Sequence, residues 1–302
     1  MVKTGKLITE QVNENTKNID KVSTVEMLQL INNEDKKIAE AIEKVIFKIA
    51  EAVDCITTRY IKGGRIIYLG AGSSGRLGVL DAVELTPTYN VSPDRVFGII
   101  AGGSDAMYRA IEGAEDSKEL AKEDLKKHNL TVNDTVIGIA ASGRTPYTIA
   151  GLEYANEIGA LSIAITSNEN CKMNEIAQIP IPIIVGPEAI TGSTRMKSGT
   201  SHKMVLNMIS TGVMIKTGKV YQNYMINVLA TNEKLVDRSI RILSNITNLS
   251  EQEAISLFEK SEQNVALGLI MHEANTNLTV SKQALSDNDN SVYKAIESLK
   301  KI

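Results

Sequence analysis

RIIYLGAGSSGR (residues 65–76) passes from a short apolar run, through a glycine-rich turn, into a helical pattern. An apolar run this short, bounded by glycines, reads as a buried strand. Four more runs of the same kind follow: RVFGIIAG (95–102), DTVIGIAAS (134–142), LSIAITS (161–167) and IPIIVG (181–186). Helical patterns separate them at 75–85, 105–127 and 147–159, with another at 202–216. Strand and helix alternating at this spacing predict an α/β fold, a parallel sheet with helices on both faces. Ligands of such sheets bind beyond the carboxyl ends of the strands, so chemistry is expected in the loops there.

Upstream, residues 1–34 are polar and Asn/Lys-rich and read as an extended arm, with Ser23 or Thr24 capping a short helix. From Asp35 to about Lys62, Ile38, Ile42, Ile46, Ile49, Val53 and Ile56 recur at helical steps and predict one long amphipathic helix, ended by Gly63 and Gly64. Downstream of about residue 218 strand signals stop. Helices are expected at 224–243, 249–261, 265–275, 278–289 and 291–300, with Ser250 and Glu253 at capping-box spacing. The predicted organisation is an arm and long helix over 1–62, an α/β domain over 63–218 and a helical subdomain over 219–302. NLTVSKQALSDNDNSVYKAIESL resembles compact three-helix modules of the ubiquitin-associated type, and a helical cap without a binding role explains the same pattern.

Composition excludes several classes of function. Hydrophobic residues make up 43% of the 302, enough for a full core, which three Phe and no Trp leave to aliphatic side chains. A net charge of −3 with mixed signs leaves no basic footprint for nucleic acid or a membrane surface. The polar opening around Lys3, Thr4 and Lys6 predicts no secretory leader, and no apolar run reaches bilayer-spanning length. Cys55 and Cys171 read as reduced thiols of a cytoplasmic protein, and His128, His202 and His272 have no metal-ligand spacing.

Three loops carry hydroxyls. In LGAGSSGR (69–76), Gly70, Gly72 and Gly75 fit the dinucleotide string G-x-G-x-x-G. The run 95–102 ends in glycine and Ser104, however, without the acidic residue that holds a ribose; Asp105 reads as the cap of the next helix. Ser73 and Ser74 add hydroxyls that a dinucleotide loop does not need. In ASGRTPYT (141–148), Ser142 and Thr145 stand three apart at a helix start and offer hydroxyls to a phosphate, with Pro146 in the first turn. In GPEAITGSTRMKSGTSHKMVLN (186–207), Ser193, Thr194, Arg195 and Lys197 lead into an apolar helix, whose N–H groups and dipole favour an anion.

The Ser-Gly-x-Thr loop on a parallel sheet resembles sugar isomerase (SIS) domains. GAGSSGRLGVLDAVELTPTY (70–89), IAGGSDAMYRAIEGAEDS (100–117), ASGRTPY (141–147) and the 186–207 segment together resemble the N-acetylmuramic acid 6-phosphate etherase family, over nearly the whole chain. One departure from the wider isomerase pattern is Ala140, where a serine often stands, so another loop must supply that phosphate contact. The resemblance implies a carbon–oxygen lyase that releases D-lactate and N-acetylglucosamine 6-phosphate, needs no metal or redox cofactor, and works as a homodimer in the cytoplasm. It also implies that Glu84 and Glu115 are the catalytic carboxylates. Glu84 falls near the end of the helix predicted after loop 69–76, broken by Pro87, where the dipole and apolar neighbours suit a proton donor. Helical spacing places Glu115 on the face of Ile111 and Tyr108, with Glu112 and Asp116 as alternatives by pattern alone. Ser142 and Thr145, with Ser73 or Ser74, are assigned to phosphate. Ser193, Thr194, Arg195 and Lys197 are assigned to the lactyl carboxylate or a sugar hydroxyl. An aldose–ketose isomerase, and a sensor like the glucokinase regulatory protein, use similar loops and stand as alternatives.

Overall fold

The computed structural model describes residues 7–227 and 233–301. The chain forms two compact units, one of residues 1–83 and 93–210, the other of residues 84–92 and 211–302.

The first unit holds a five-stranded parallel sheet: β1 (Ile66–Gly70), β2 (Val96–Ile100), β3 (Thr135–Ile139), β4 (Leu161–Thr166) and β5 (Ile179–Pro182), in the order β2-β1-β3-β4-β5. The three central strands are buried along their whole length, which is why they read as unbroken apolar runs. β5 starts two residues before the run expected at 181–186 and ends four residues before it does. Pro180 and Pro182 cannot donate to a ladder, and the sheet edge is where a strand tolerates them.

Alternation along β1 assigns its covering helices. Tyr68 faces α4 (Gly72–Tyr89), where a Cβ on Gly78 would stand 2.6 Å from the Tyr68 Cβ. Leu69 faces the other side and α6 (Pro146–Ile158), where a Cβ on Gly151 would lie 2.0 Å from its Cδ2. Glycine at both positions lets helix and strand approach closely.

The N-terminal half departs from expectation in two places. Ser23 caps α1 (Thr24–Asp35) in a full capping box with Glu26. The long helix is two, α2 (Lys37–Glu43) and α3 (Ile46–Ile61), because Val45 adopts φ −114° and ψ 11°. That turn carries Ile46 out of the stripe to 40% exposure, while Ile38, Ile42, Ile49, Val53 and Ile56 stay buried. No helix runs through 105–127 either. Short 3-10 turns at Ser104–Met107 and Ala114–Asp116 precede α5 (Lys118–Lys127), which Ser117 caps in place of Asp105. Gly113 has φ +75°, so it is a turn residue rather than a helix interior.

Further along unit one, α7 (Lys172–Ile176) connects β4 to β5. α8 (Lys197–Lys216) follows and runs on into the second unit. In the second unit, β6 (Val220–Tyr221) and β7 (Tyr224–Met225) form a two-stranded hairpin where only helix was expected. Part of the helix expected over 224–243 lies outside the described residues; α9 spans Glu233–Thr247. α10 (Glu251–Lys260), with the Ser250–Glu253 capping box, α11 (Val265–Glu273), α12 (Leu278–Asp287) and α13 (Val292–Lys300) complete it around Leu243, Phe258, Leu269 and Ile296. Among the described residues no helix is long and apolar enough to cross a membrane.

Candidate active site

The strand order reverses direction between β1 and β3. The loops beyond those two strand ends diverge there and leave a crevice, the usual ligand position in an open α/β sheet. The structure has a cavity of about 230 Å³ at that point, lined by Ser73 and Ser74 of α4 and by Ala140, Ser142 and Thr145 beyond β3. Glu115, Thr194, Gly199 and His202 line it too, as do Thr9 and Glu10 of the N-terminal arm. A second cavity of about 260 Å³ shares Ala71, Gly72 and Glu115 with the first and continues past Arg109 and Ile111. Glu115 therefore stands at the junction of two clefts.

Backbone donors decide where an anion fits. The first-turn N–H groups of α4, at Gly72, Ser73 and Ser74, have no intrahelical acceptor. At α6, Thr145 is the N-cap but its side chain makes no capping bond, and Pro146 follows. Ser142 Oγ accepts from Arg144 N at 3.2 Å, which shapes the turn. Both helix ends keep donors and dipole for an anion.

The N-terminus of α8 does not, contrary to the expectation for the 186–207 segment. The buried Glu188 carboxylate accepts from Lys197 N and Ser198 N, each at 2.9 Å. Gly199 N donates to Thr194 O and Thr200 N to Met196 O, both at 2.9 Å. An internal carboxylate thus occupies the place expected for a ligand.

The remaining expected residues divide. Thr194 is on the lining, whereas Ser193 and the exposed Arg195 are not among the lining residues. Lys197 is 1% exposed and its ammonium pairs with the equally buried Glu34 of α1. Burial alone would raise the Glu34 carboxyl, but hydrogen bonds from Lys197, Lys37 and Asn15 outweigh it and hold the group at about 2. Glu84 is exposed, and α4 continues past it to Tyr89 with Pro87 inside, so it is not at a helix end. The helix tolerates that proline in its last turn, and Thr88 Oγ1 donates to the Glu84 carbonyl at 2.7 Å. Glu84 lies roughly 15 Å along the axis from Ser74, at the α-helical rise.

Four residues at or beside the cleft escaped the sequence reading: Thr9, Glu10 and His202, which line it, and Glu188, which caps α8. His202 is fully buried, with Nε2 3.0 Å from Ser167 Oγ, and burial pushes the imidazole down to about 4. It presents a neutral ring to the cleft at neutral pH. Only the approach of α8 to the end of β4 creates that environment, so its spacing in sequence carried no signal.

Comparison with known proteins follows the same lines. Residues 48–156 match the family described as glucokinase regulatory protein N-terminal SIS domain, and residues 116–211 match the SIS domain. N-acetylmuramic acid 6-phosphate etherase 1 of Enterococcus faecalis is 55% identical over 290 residues, covering 96% of this chain and 97% of the relative. The N-acetylmuramic acid 6-phosphate etherase of Clostridium botulinum is 56% identical over 294 residues, 97% of both chains. That of Clostridium beijerinckii is 55% identical over 293 residues, 97% of this chain and 96% of the relative.

Proposed function

Because the chain belongs to the N-acetylmuramic acid 6-phosphate etherase family, we infer that it cleaves the D-lactyl ether of N-acetylmuramic acid 6-phosphate, giving N-acetylglucosamine 6-phosphate and D-lactate. The observation that supports this most is one cleft in which Glu115 meets the hydroxyls and open helix ends of α4 and α6. An anionic sugar phosphate gains from those donors, and a carboxylate beside them can move a proton.

In this reading the sugar opens so that C1 is an aldehyde, and Glu115 takes the proton from C2. The electron pair moves toward the C1 oxygen as an enolate and then expels lactate from C3. Glu84 gives the departing ether oxygen its proton, and water adds at C3 to restore a hydroxyl. Ser142 and Thr145, with Ser73 and Ser74, hold the phosphate, and Thr194 takes a sugar hydroxyl or the lactyl carboxylate. No step here calls on a metal or redox cofactor. A charged sugar phosphate does not cross a bilayer unaided, which suits a cytoplasmic enzyme.

Glu84 and Glu115 must meet one substrate, yet ten residues of α4 separate Glu84 from the turn that holds phosphate, beyond hydrogen-bond reach at ~1.5 Å per residue. A homodimer in which each site takes Glu115 from one copy and Glu84 from the other resolves this. Glu84→Gln and Glu115→Gln proteins are each expected to release no lactate. Co-expressed, they form mixed dimers in which one of the two sites keeps both carboxylates, so activity returns. Absence of any recovery in demonstrated mixed dimers would overturn the shared site; a wild type that releases no lactate would overturn the lyase. C2 exchange with solvent deuterium separates the roles: it persists in Glu84→Gln and stops in Glu115→Gln.

A further inference from the structure

The N-terminal arm brings a carboxylate into the cleft that the lyase scheme leaves unused. We propose that Glu10 is a substrate-contacting residue, accepting a hydrogen bond from a hydroxyl of the sugar; the identity of that sugar rests on the reading above.

Thr9 and Glu10 line the same cavity as Glu115 and Ser142. The backbone around them is tied down on both sides. Asn168, just past β4, accepts from Ile8 N at 2.9 Å, and its amide donates to Thr9 Oγ1 at 3.3 Å and to Ala141 O at 2.9 Å. One buried side chain therefore fixes both the residues before Glu10 and the residue before Ser142. Beyond Glu10, Asn13 donates to Pro187 O at 3.0 Å and Thr16 to Ala189 O at 2.8 Å. These anchors make the arm a fixed wall, not a loose tail.

The Glu10 carboxylate stands over the third hydroxyl-bearing loop: a Cβ on Gly192 would lie 3.4 Å from its Oε2. Among the described residues no ion pair or hydrogen bond engages that carboxylate. Nor do any of the lining residues carry a Lys or Arg side chain to neutralise it. It repels an anion, and the helix ends of α4 and α6 draw the phosphate to themselves. What remains for Glu10 to meet is a neutral donor, and the sugar supplies hydroxyls. A hydrogen bond to a charged acceptor is among the stronger ones, so its loss is measurable.

The test compares Glu10→Ala and Glu10→Gln with wild type in D-lactate release and in calorimetric titration with N-acetylglucosamine 6-phosphate. Both variants should melt with the wild type, because the side chain is exposed and makes no internal bond. Glu10→Ala is expected to raise KM and weaken product binding about tenfold or more, with kcat little changed. Glu10→Gln keeps an acceptor oxygen and should recover most of the loss. An unchanged KM and product affinity in Glu10→Ala overturns the proposal, as does a large loss of kcat shared by the Ala and Gln variants, which marks a proton-transfer group. A wild type that binds the sugar phosphate without releasing lactate overturns the lyase reading alone, and the titration still decides Glu10.

Discussion

Lys197 and Glu34 bury opposite charges where the first residue of α8 meets the last turn of α1. Neither charge tolerates such burial alone; together, with Lys37 and Asn15 on the same carboxylate, they satisfy each other. Lys197→Met therefore leaves Glu34 with the half-exposed Lys37 and the neutral Asn15, and a loss of about 3 kcal/mol is expected, near the lower end for a broken buried pair. The double change Glu34→Leu with Lys197→Met removes both charges and should be less destabilised than Lys197→Met. Urea unfolding at neutral pH measures both. If the double variant is the weaker of the two, the charges do more than neutralise each other. Asp134 plays a similar part at the far end of the sheet, accepting from Arg65 N, Nε and Nη2 and from Thr131. Burial would raise its carboxyl, and the Arg65 contacts hold it below the usual range.

At the scale of elements, three helices start near the cleft and only two start open. α8 spends its first N–H groups on Glu188, while α4 and α6 keep theirs. Phosphate affinity should follow that difference. Ser142→Ala with Thr145→Val is expected to weaken N-acetylglucosamine 6-phosphate binding about tenfold, two hydroxyl contacts at modest net strength each. Ser193→Ala, off the cavity lining, should stay within about twofold. Equal losses in the two proteins would move the phosphate to the 186–207 loop. Elements also show how far pattern reaches. β1, β3 and β4 were legible because burial on both faces demands a continuous apolar run. The 102–117 segment was not, because its apolar residues fall at helical steps while Gly102, Gly103 and Gly113 hold φ of +89°, +71° and +75°.

For the whole molecule, acid stability follows from two buried groups. His202 titrates near 6.5 when unfolded and at about 4 in the fold. Between those values the unfolded chain holds more protons, so stability falls as pH drops through 6.5 and levels off below about 4. The full loss is roughly 3 kcal/mol by linkage. Glu34 adds a second stage: its folded value of about 2 lies below the ordinary 4.5, so its contribution is lost as pH falls from about 4.5 toward 2. Urea midpoints at pH 8, 6, 5 and 4 should decline at each step, and His202→Asn should remove the upper stage. A midpoint constant from pH 8 to 5 would show that His202 is not held neutral by burial.

β1 to β5, their parallel arrangement, the hydroxyl-bearing loops at their ends and the family are legible in the linear sequence. Short-range patterns suffice for these, since a buried strand must be apolar and a loop that meets an anion must carry donors. Which residues share the cleft depends on packing between distant segments. Thr9 and Glu10 are far from Ser142 in the chain and become its neighbours through the side chain of Asn168. Lys197 looks like a site residue in the linear text but answers a buried carboxylate, and Glu188, which no pattern marked, caps α8. Burial and pairing are properties of the packed chain. The same carboxylate or ammonium is a ligand contact in one packing and an internal bond in another, and local pattern does not distinguish them.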